Sequence, residues 1–101
     1  MQKLRFPGVP VFLNGQNYYI PSLSLRDFRA NYELLSKGMP EGATAAEVQE
    51  RYNPIILLAV QRNYPDVTLE QLGDWLDLYT FNEALKAMQN ASGTVPVTEG
   101  E

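Results

Sequence analysis

Apolar and polar residues alternate near the start of the chain, and this alternation predicts a β-hairpin over residues 9–20. Asn14-Gly15 lies midway, and both residues tolerate the positive φ of a type I′ turn. A two-residue loop pairs Val11 with Tyr18 on a mostly apolar face. Because an isolated hairpin is marginal in water, that face is expected to pack on helices or a partner. Pro10 cannot donate to a ladder, so its strand is expected at a sheet edge.

After the hairpin the apolar residues take helical spacing, which predicts a first helix from about Leu25 to Lys37. Ser24 is the expected N-cap, and Gly38 provides a residue that readily takes a left-handed conformation at the end. The apolar positions at helical spacing form one stripe, which is expected to face the core: Leu25, Phe28, Tyr32 and Leu35.

A second helix begins after Thr44, and its apolar stripe continues through Pro54. Proline in a helix interior removes one hydrogen bond and clashes with the preceding turn, at a cost of about 3 kcal/mol. Asn53-Pro54 would also serve as an N-cap and first residue of a new helix. The unbroken stripe favours one kinked helix, and two separate helices remain the alternative.

Tyr64-Pro65 ends this helix, and Thr68-x-x-Gln71 has the form of a capping box that starts the next. The third helix is expected from about Leu69 to Tyr79. Thr80-x-x-Glu83 repeats the capping pattern and predicts a fourth helix from Phe81 to about Asn90. The expected core positions are Leu69, Leu72, Leu76 and Tyr79 in the third helix and Phe81, Ala84, Leu85 and Met88 in the fourth.

These elements predict a mainly α fold, a small helical domain of four to five helices with an N-terminal β-hairpin. The domain is expected to span residues 1–93. Residues 94–101 show no hydrophobic period and are expected to form a flexible C-terminal tail.

The composition narrows the classes of function. The chain has 101 residues, a net charge of −4 and a pI of about 4.7, so binding to nucleic acid or to an anionic membrane surface is not expected. It has no cysteine and no histidine, which excludes thiolate chemistry and the commonest metal ligand. No apolar run approaches the length of a membrane span or a signal peptide. We therefore expect a cytoplasmic protein.

Carboxylates are the remaining candidates for catalysis or metal binding. Glu47 and Glu50 are one turn apart on a predicted helix, as are Glu70 and Asp74, and Asp74 and Asp77. Periodicity places all of them on polar helix faces, where acids commonly serve solubility. The sequence therefore predicts no catalytic residue, no metal site, no cofactor and no enzymatic activity.

Aromatic and apolar residues outside the predicted core faces are the candidates for partner contacts. Phe12 and Tyr19 share the outer face of the hairpin, and Trp75 and Leu78 lie beside the core stripe of the third helix. Aromatic side chains often dominate binding energies at protein interfaces. These four residues are the predicted partner-binding set, with Trp75 also weighed as a flank of the core.

The order of elements and motifs resembles the tail assembly chaperones of long-tailed bacteriophages. A hairpin leads into Pro21–Phe28, and the stop Arg62–Thr68 is followed by Leu69–Asp77. The chain closes with a short helix and Ala91-Ser92-Gly93. A Pro-Asp-Val-Thr-x-Glu-x-Leu stretch and a final Ser-Gly are familiar in that family, and the similarity spans about residues 9–93.

The resemblance implies a non-enzymatic, mainly helical protein that binds the long helical tape measure protein in the host cytoplasm. Such chaperones keep that protein soluble, help tail tube subunits assemble around it, and leave before the virion is complete. The tail tube protein is a second expected partner, and homo-oligomer formation stays open. The alternative is a head–tail connector or another structural morphogenesis protein, which would remain in the virion.

Overall fold

The N-terminal hairpin forms where the alternation predicts it. The computed structural model describes residues 5–91, with side chains as far as Gln89. Strands β1 (Val9–Leu13) and β2 (Gln16–Ile20) form a two-stranded antiparallel sheet. Asn14 has φ 49° and Gly15 φ 84°, as a type I′ turn requires. The predicted register is confirmed, with Val11 opposite Tyr18.

The predicted first helix is wrong as a single element, because it breaks at Asn31. Helix α1 spans Leu25–Ala30 and helix α2 spans Tyr32–Lys37. Asn31 leaves the helical region at φ −117° and ψ 18°. Its side-chain Nδ2 donates to the Asp27 carbonyl at 2.9 Å. Such a bond lets asparagine compete with the regular helix ladder, which accounts for the break.

Helix α3 (Ala45–Asn63) runs unbroken through Pro54, so the prediction of one helix is confirmed and two separate helices are wrong. The Thr44–Glu47 capping box starts it, with the Glu47 N–H 3.1 Å from Thr44 Oγ1. Beyond the proline, Ile56 and Ala59 are fully buried. This burial offsets the hydrogen bond that the proline removes.

The boundary between the last two helices lies earlier than the sequence predicts. Helix α4 spans Leu69–Trp75 and helix α5 spans Leu78–Ala91. The expected capping box at Thr80 and Glu83 is wrong, because Asp77 fills this role for α5. The Thr80 N–H donates to Asp77 Oδ1, and the Asp77 N–H donates to Thr80 Oγ1, each at 2.8 Å. An Asp-x-x-Thr box therefore starts the helix.

The core lies between the inner face of the hairpin and helices α3 and α5. Its buried hydrophobic side chains are Val11, Leu13, Tyr18, Ile20, Ile55, Ile56, Ala59, Val60, Val67, Leu72, Phe81, Ala84, Ala87 and Met88. Helices α1 and α2 contribute no buried residue. Four predicted core positions are exposed instead, namely Leu25, Tyr32, Leu69 and Tyr79.

The described part of the chain is thus a small compact domain of five helices and an N-terminal hairpin, with well over half of its residues in helices. Within residues 5–91, no helix is long and apolar enough to cross a membrane. The predicted flexible tail at 94–101 lies outside the described residues.

Candidate protein-binding surface

The C-terminal end of α3 fixes the hairpin and the segment before it. Asn63 is 1% exposed and is the single buried polar residue of the described core. Its Oδ1 accepts the Arg5 and Phe6 N–H groups at 3.0 and 2.8 Å. Its Nδ2 donates to the Phe6 and Tyr19 carbonyls, both at 2.9 Å. One side chain therefore joins the helix, the N-terminal segment and β2.

The two neighbours of Asn63 extend this junction. The Tyr64 hydroxyl accepts the Tyr19 N–H at 2.9 Å. Arg62 Nη1 donates to the Ser22 carbonyl at 2.7 Å, and the guanidinium carbon lies 3.9 Å from the centre of the Phe6 ring. The helix stop at Arg62–Tyr64 therefore positions β2 and both segments that flank the hairpin.

The outer face of the hairpin points away from this junction and from the core. Phe12 is 63% exposed and Tyr19 is 37% exposed. Phe12 lies opposite Asn17, and Pro10 lies opposite Tyr19, so the two aromatic residues are diagonal neighbours on one face. The structure thus places both of these predicted contact residues together and open to solvent. We call this surface the hairpin outer face, defined by Pro10, Phe12, Asn17 and Tyr19.

The chain around the hairpin outer face carries no charge. Residues 6–25 include no Asp, Glu, Lys or Arg, although charged residues form 20% of the whole sequence. Edge strands usually carry charged side chains that discourage pairing with other chains. In this hairpin only Pro10 provides such protection. The exposed aromatic face therefore lies within an uncharged run of the sequence of an acidic protein.

Trp75 and Leu78 do not lie on one helix, so the prediction that places both beside the core stripe of the third helix is wrong. Helix α4 ends at Trp75, and Leu78 is the first residue of α5. The Trp75 ring stacks on Tyr18 with centroids 5.3 Å apart, and Tyr18 also meets Tyr64 edge-on at 4.9 Å. Trp75 is half-buried and packs against the core, whereas Leu78 is 60% exposed. The structure does not bring these two residues together with Phe12 and Tyr19 in one continuous set.

Exposed apolar residues also occur where the sequence predicted core. Leu25 is 74% exposed on α1, and Tyr79 is 72% exposed beside Leu78 in the first turn of α5. Tyr32 meets only the edge of Phe28, at 5.7 Å, among the described ring contacts. The helix breaks at Asn31 and after Trp75 change the helical phase at Tyr32 and Tyr79, which lie just after them. The Asp77-x-x-Thr80 spacing is the sequence signal that could have revealed the second break.

Two of the carboxylates, those of Glu47 and Asp77, cap helix starts. Glu47 Oε1 accepts the Thr44 N–H at 2.9 Å, which completes the α3 capping box. Hydrogen bonds from the backbone N–H and then the hydroxyl of Thr80 lower the pKa of the Asp77 carboxyl from its ordinary value of 3.8. Asp74 and Asp77 do not lie one turn apart on one helix, because α4 ends between them. Among residues 5–91, no group of three acidic side chains could hold a metal ion.

An open cleft of about 420 Å³ lies between the Met39–Ala43 loop and the first turns of α3. Glu47, Glu50 and Arg51 line its polar side. The Glu47 carboxylate already accepts the Thr44 N–H, so it is engaged in capping. The cleft is therefore lined by both acidic and basic side chains.

Comparison with protein-family models, curated proteins and solved structures found no match. The site is therefore interpreted from its own residues. Its most distinctive features are the uncharged hairpin outer face and the exposed apolar pair at the start of α5.

Proposed function

We propose that this chain is a tail assembly chaperone of a long-tailed bacteriophage. In this role it binds the tape measure protein in the host cytoplasm and assists assembly of the tail tube around it. The sequence motifs from the hairpin to residue 93 suggest the family. The observation that carries the proposal is the exposure of Phe12 and Tyr19 on a hairpin whose opposite face is buried in the core.

The proposed binding mode follows from the chemistry of that face. A long helical protein presents apolar side chains that need cover before it is built into a larger assembly. An aromatic face without charges can cover such side chains without burying an unpaired charge. The acidic remainder of the surface keeps the complex soluble. Binding would be reversible, because the face is small and has no covalent or metal chemistry.

Tyr19 and Tyr32 provide a matched test, since each is an exposed tyrosine that can be changed to alanine. The chain is co-expressed with the long helical protein encoded beside it, and the soluble fraction of that protein is measured. We expect Tyr19→Ala to lower the soluble fraction, because it removes an aromatic side chain of the hairpin outer face. Tyr32→Ala on α2 should leave the fraction at the wild-type level.

Two results would contradict the proposal. The long helical protein could be equally soluble without this chain, or both variants could have the same effect. Circular dichroism on each variant confirms that the chain itself stays folded. If the chain instead remains in purified virions, the head–tail connector or another structural role replaces the chaperone role.

A further inference from the structure

The two edges of the hairpin differ in their free hydrogen-bonding groups. Beside a two-residue turn, bonded and non-bonded pairs alternate along the strands. Phe12 and Tyr19 belong to non-bonded pairs, so their backbone N–H and C=O groups point away from the hairpin ladder. At the β2 edge, Tyr64 and Asn63 already engage both groups of Tyr19. The junction with α3 therefore covers the β2 edge at Tyr19, and in the described part of the chain Asn17, beside the turn, is the residue of β2 that keeps both groups free.

The β1 edge is open at Phe12. The backbone of Pro10 also faces this open edge of β1, but proline has no N–H to donate. Phe12 is therefore the residue of β1 that offers both a donor and an acceptor at this edge. Within residues 5–91, no hydrogen bond from outside the hairpin reaches the Phe12 backbone. Its side chain is exposed at the same point.

A second copy of the chain fits this edge. With a two-fold axis beside Phe12, the Phe12 N–H of each copy can donate to the Phe12 C=O of the other, so the edge is complementary to itself. The net charge of −4 opposes association elsewhere on the surface, but residues 6–25 place no like charges opposite each other at this edge. Residues 6–25 also contain no acidic side chain that a basic partner could pair with, so a basic partner fits this edge less well than a second copy.

We propose that two copies of this chain pair through β1 and form a four-stranded antiparallel sheet, with Phe12 of one copy opposite Phe12 of the other. Paired residues of a sheet share a face, so the outer faces of both hairpins lie on one side and the helices on the other. The dimer would present one aromatic surface formed by Phe12 and Tyr19 of both copies. The pairing does not depend on the proposed function, and it is tested on the chain alone.

Disulfide trapping provides a direct test, because the natural chain contains no cysteine. In a hydrogen-bonded antiparallel pair the Cα atoms lie about 5.5 Å apart, within the range that a disulfide spans. Phe12→Cys should therefore cross-link two copies under mild oxidation. Asn17→Cys is the control on the same face of β2. The two Asn17 positions would lie roughly 14 Å apart, three strand spacings of about 4.8 Å. We expect cross-linking at position 12 to be at least about tenfold faster.

Sedimentation velocity over a range of concentrations measures the same pairing without a cross-link. Phe12→Lys places like charges opposite each other and should raise the dimer dissociation constant at least about tenfold. Asn17→Lys adds the same charge to the same face of the hairpin, but on β2, which lies one strand away from the proposed contact. This variant should leave dimerisation unchanged.

Three results would overturn the pairing. The wild-type chain could stay monomeric up to about 1 mM. The two cysteine variants could cross-link at equal rates. The two lysine variants could weaken the dimer equally, which would place the contact on the hairpin outer face rather than at the β1 edge.

Discussion

Replacing Asn63 by alanine tests whether one buried side chain holds the hairpin to the helices. The substitution removes the four hydrogen bonds that join Asn63 to Arg5, Phe6 and Tyr19, and leaves the Arg5 and Phe6 N–H groups and the Phe6 and Tyr19 carbonyls without this partner. Each bond contributes about 0.5–1.5 kcal/mol net, and a stranded buried group costs about 1–3 kcal/mol. Water can reach the part of the site near Arg5, which is exposed. We therefore expect a loss of about 3 kcal/mol in the free energy of unfolding.

Equilibrium unfolding in urea measures this loss. For a slope of about 1.5 kcal/mol per molar urea, the midpoint should fall by about 2 M. Asn82→Ala is the matched control, because Asn82 is exposed on α5 and the side-chain change is the same. The control should stay within about 0.5 kcal/mol of the wild type. Equal midpoints for Asn63→Ala and Asn82→Ala would refute the reasoning, since the four bonds would then contribute nothing to stability.

Three further substitutions test separate parts of the fold. Thr68→Ala removes the N-cap of α4 and should cost about 0.5–2 kcal/mol in urea unfolding; an unchanged midpoint would mean that the capping box contributes nothing. Trp75→Ala removes the ring that stacks on Tyr18 and should cost about 2 kcal/mol, less than for a fully buried tryptophan; a wild-type midpoint would show that Trp75 does not support the core. Because the pKa of Asp77 is lowered in the folded state, its carboxylate stabilises the fold at pH values above the ordinary pKa of 3.8. This contribution is lost as the pH falls through the folded-state pKa. Thermal unfolding between pH 5 and pH 2 should therefore show a steeper loss for the wild type than for Asp77→Asn, and parallel curves would contradict this.

Three features of the fold were predicted correctly from the sequence. The Asn14-Gly15 turn specifies its own φ angles and the register of the strands beside it. The Thr68-x-x-Gln71 box specifies the start of α4 by contacts within one turn. The apolar stripe through Pro54 correctly predicted one helix. The helix continues through the proline because the burial of Ile56 and Ala59 outweighs its local cost.

The helix breaks were missed because two local signals competed at each. Asn31 was counted within a helical stripe, although its side chain bonds to the Asp27 carbonyl. Thr80 was assigned as an N-cap, although Asp77 takes that role and uses the Thr80 hydroxyl. Each error changed the helical phase just after the break, and for that reason Tyr32 and Tyr79 were predicted as core and are exposed.

The site was predictable only where it depends on the hairpin. Alternation across β1 and β2 was enough to place Phe12 and Tyr19 on the outer face. The role of Asn63 was not predictable, because its partners at Phe6 and Tyr19 are more than 40 positions away in sequence. The stacking of Trp75 on Tyr18 is likewise a contact between distant segments.

The proposed chaperone role is tested most directly by following the chain through assembly. An affinity-tagged chain is recovered from cells during virion production, and purified virions from the same culture are analysed by quantitative mass spectrometry. The account predicts that a long helical protein co-purifies with the chain from the cells, and that the chain is absent from the finished virions. Recovery of the chain in stoichiometric amounts from purified virions, or purification without any long helical partner, would contradict it.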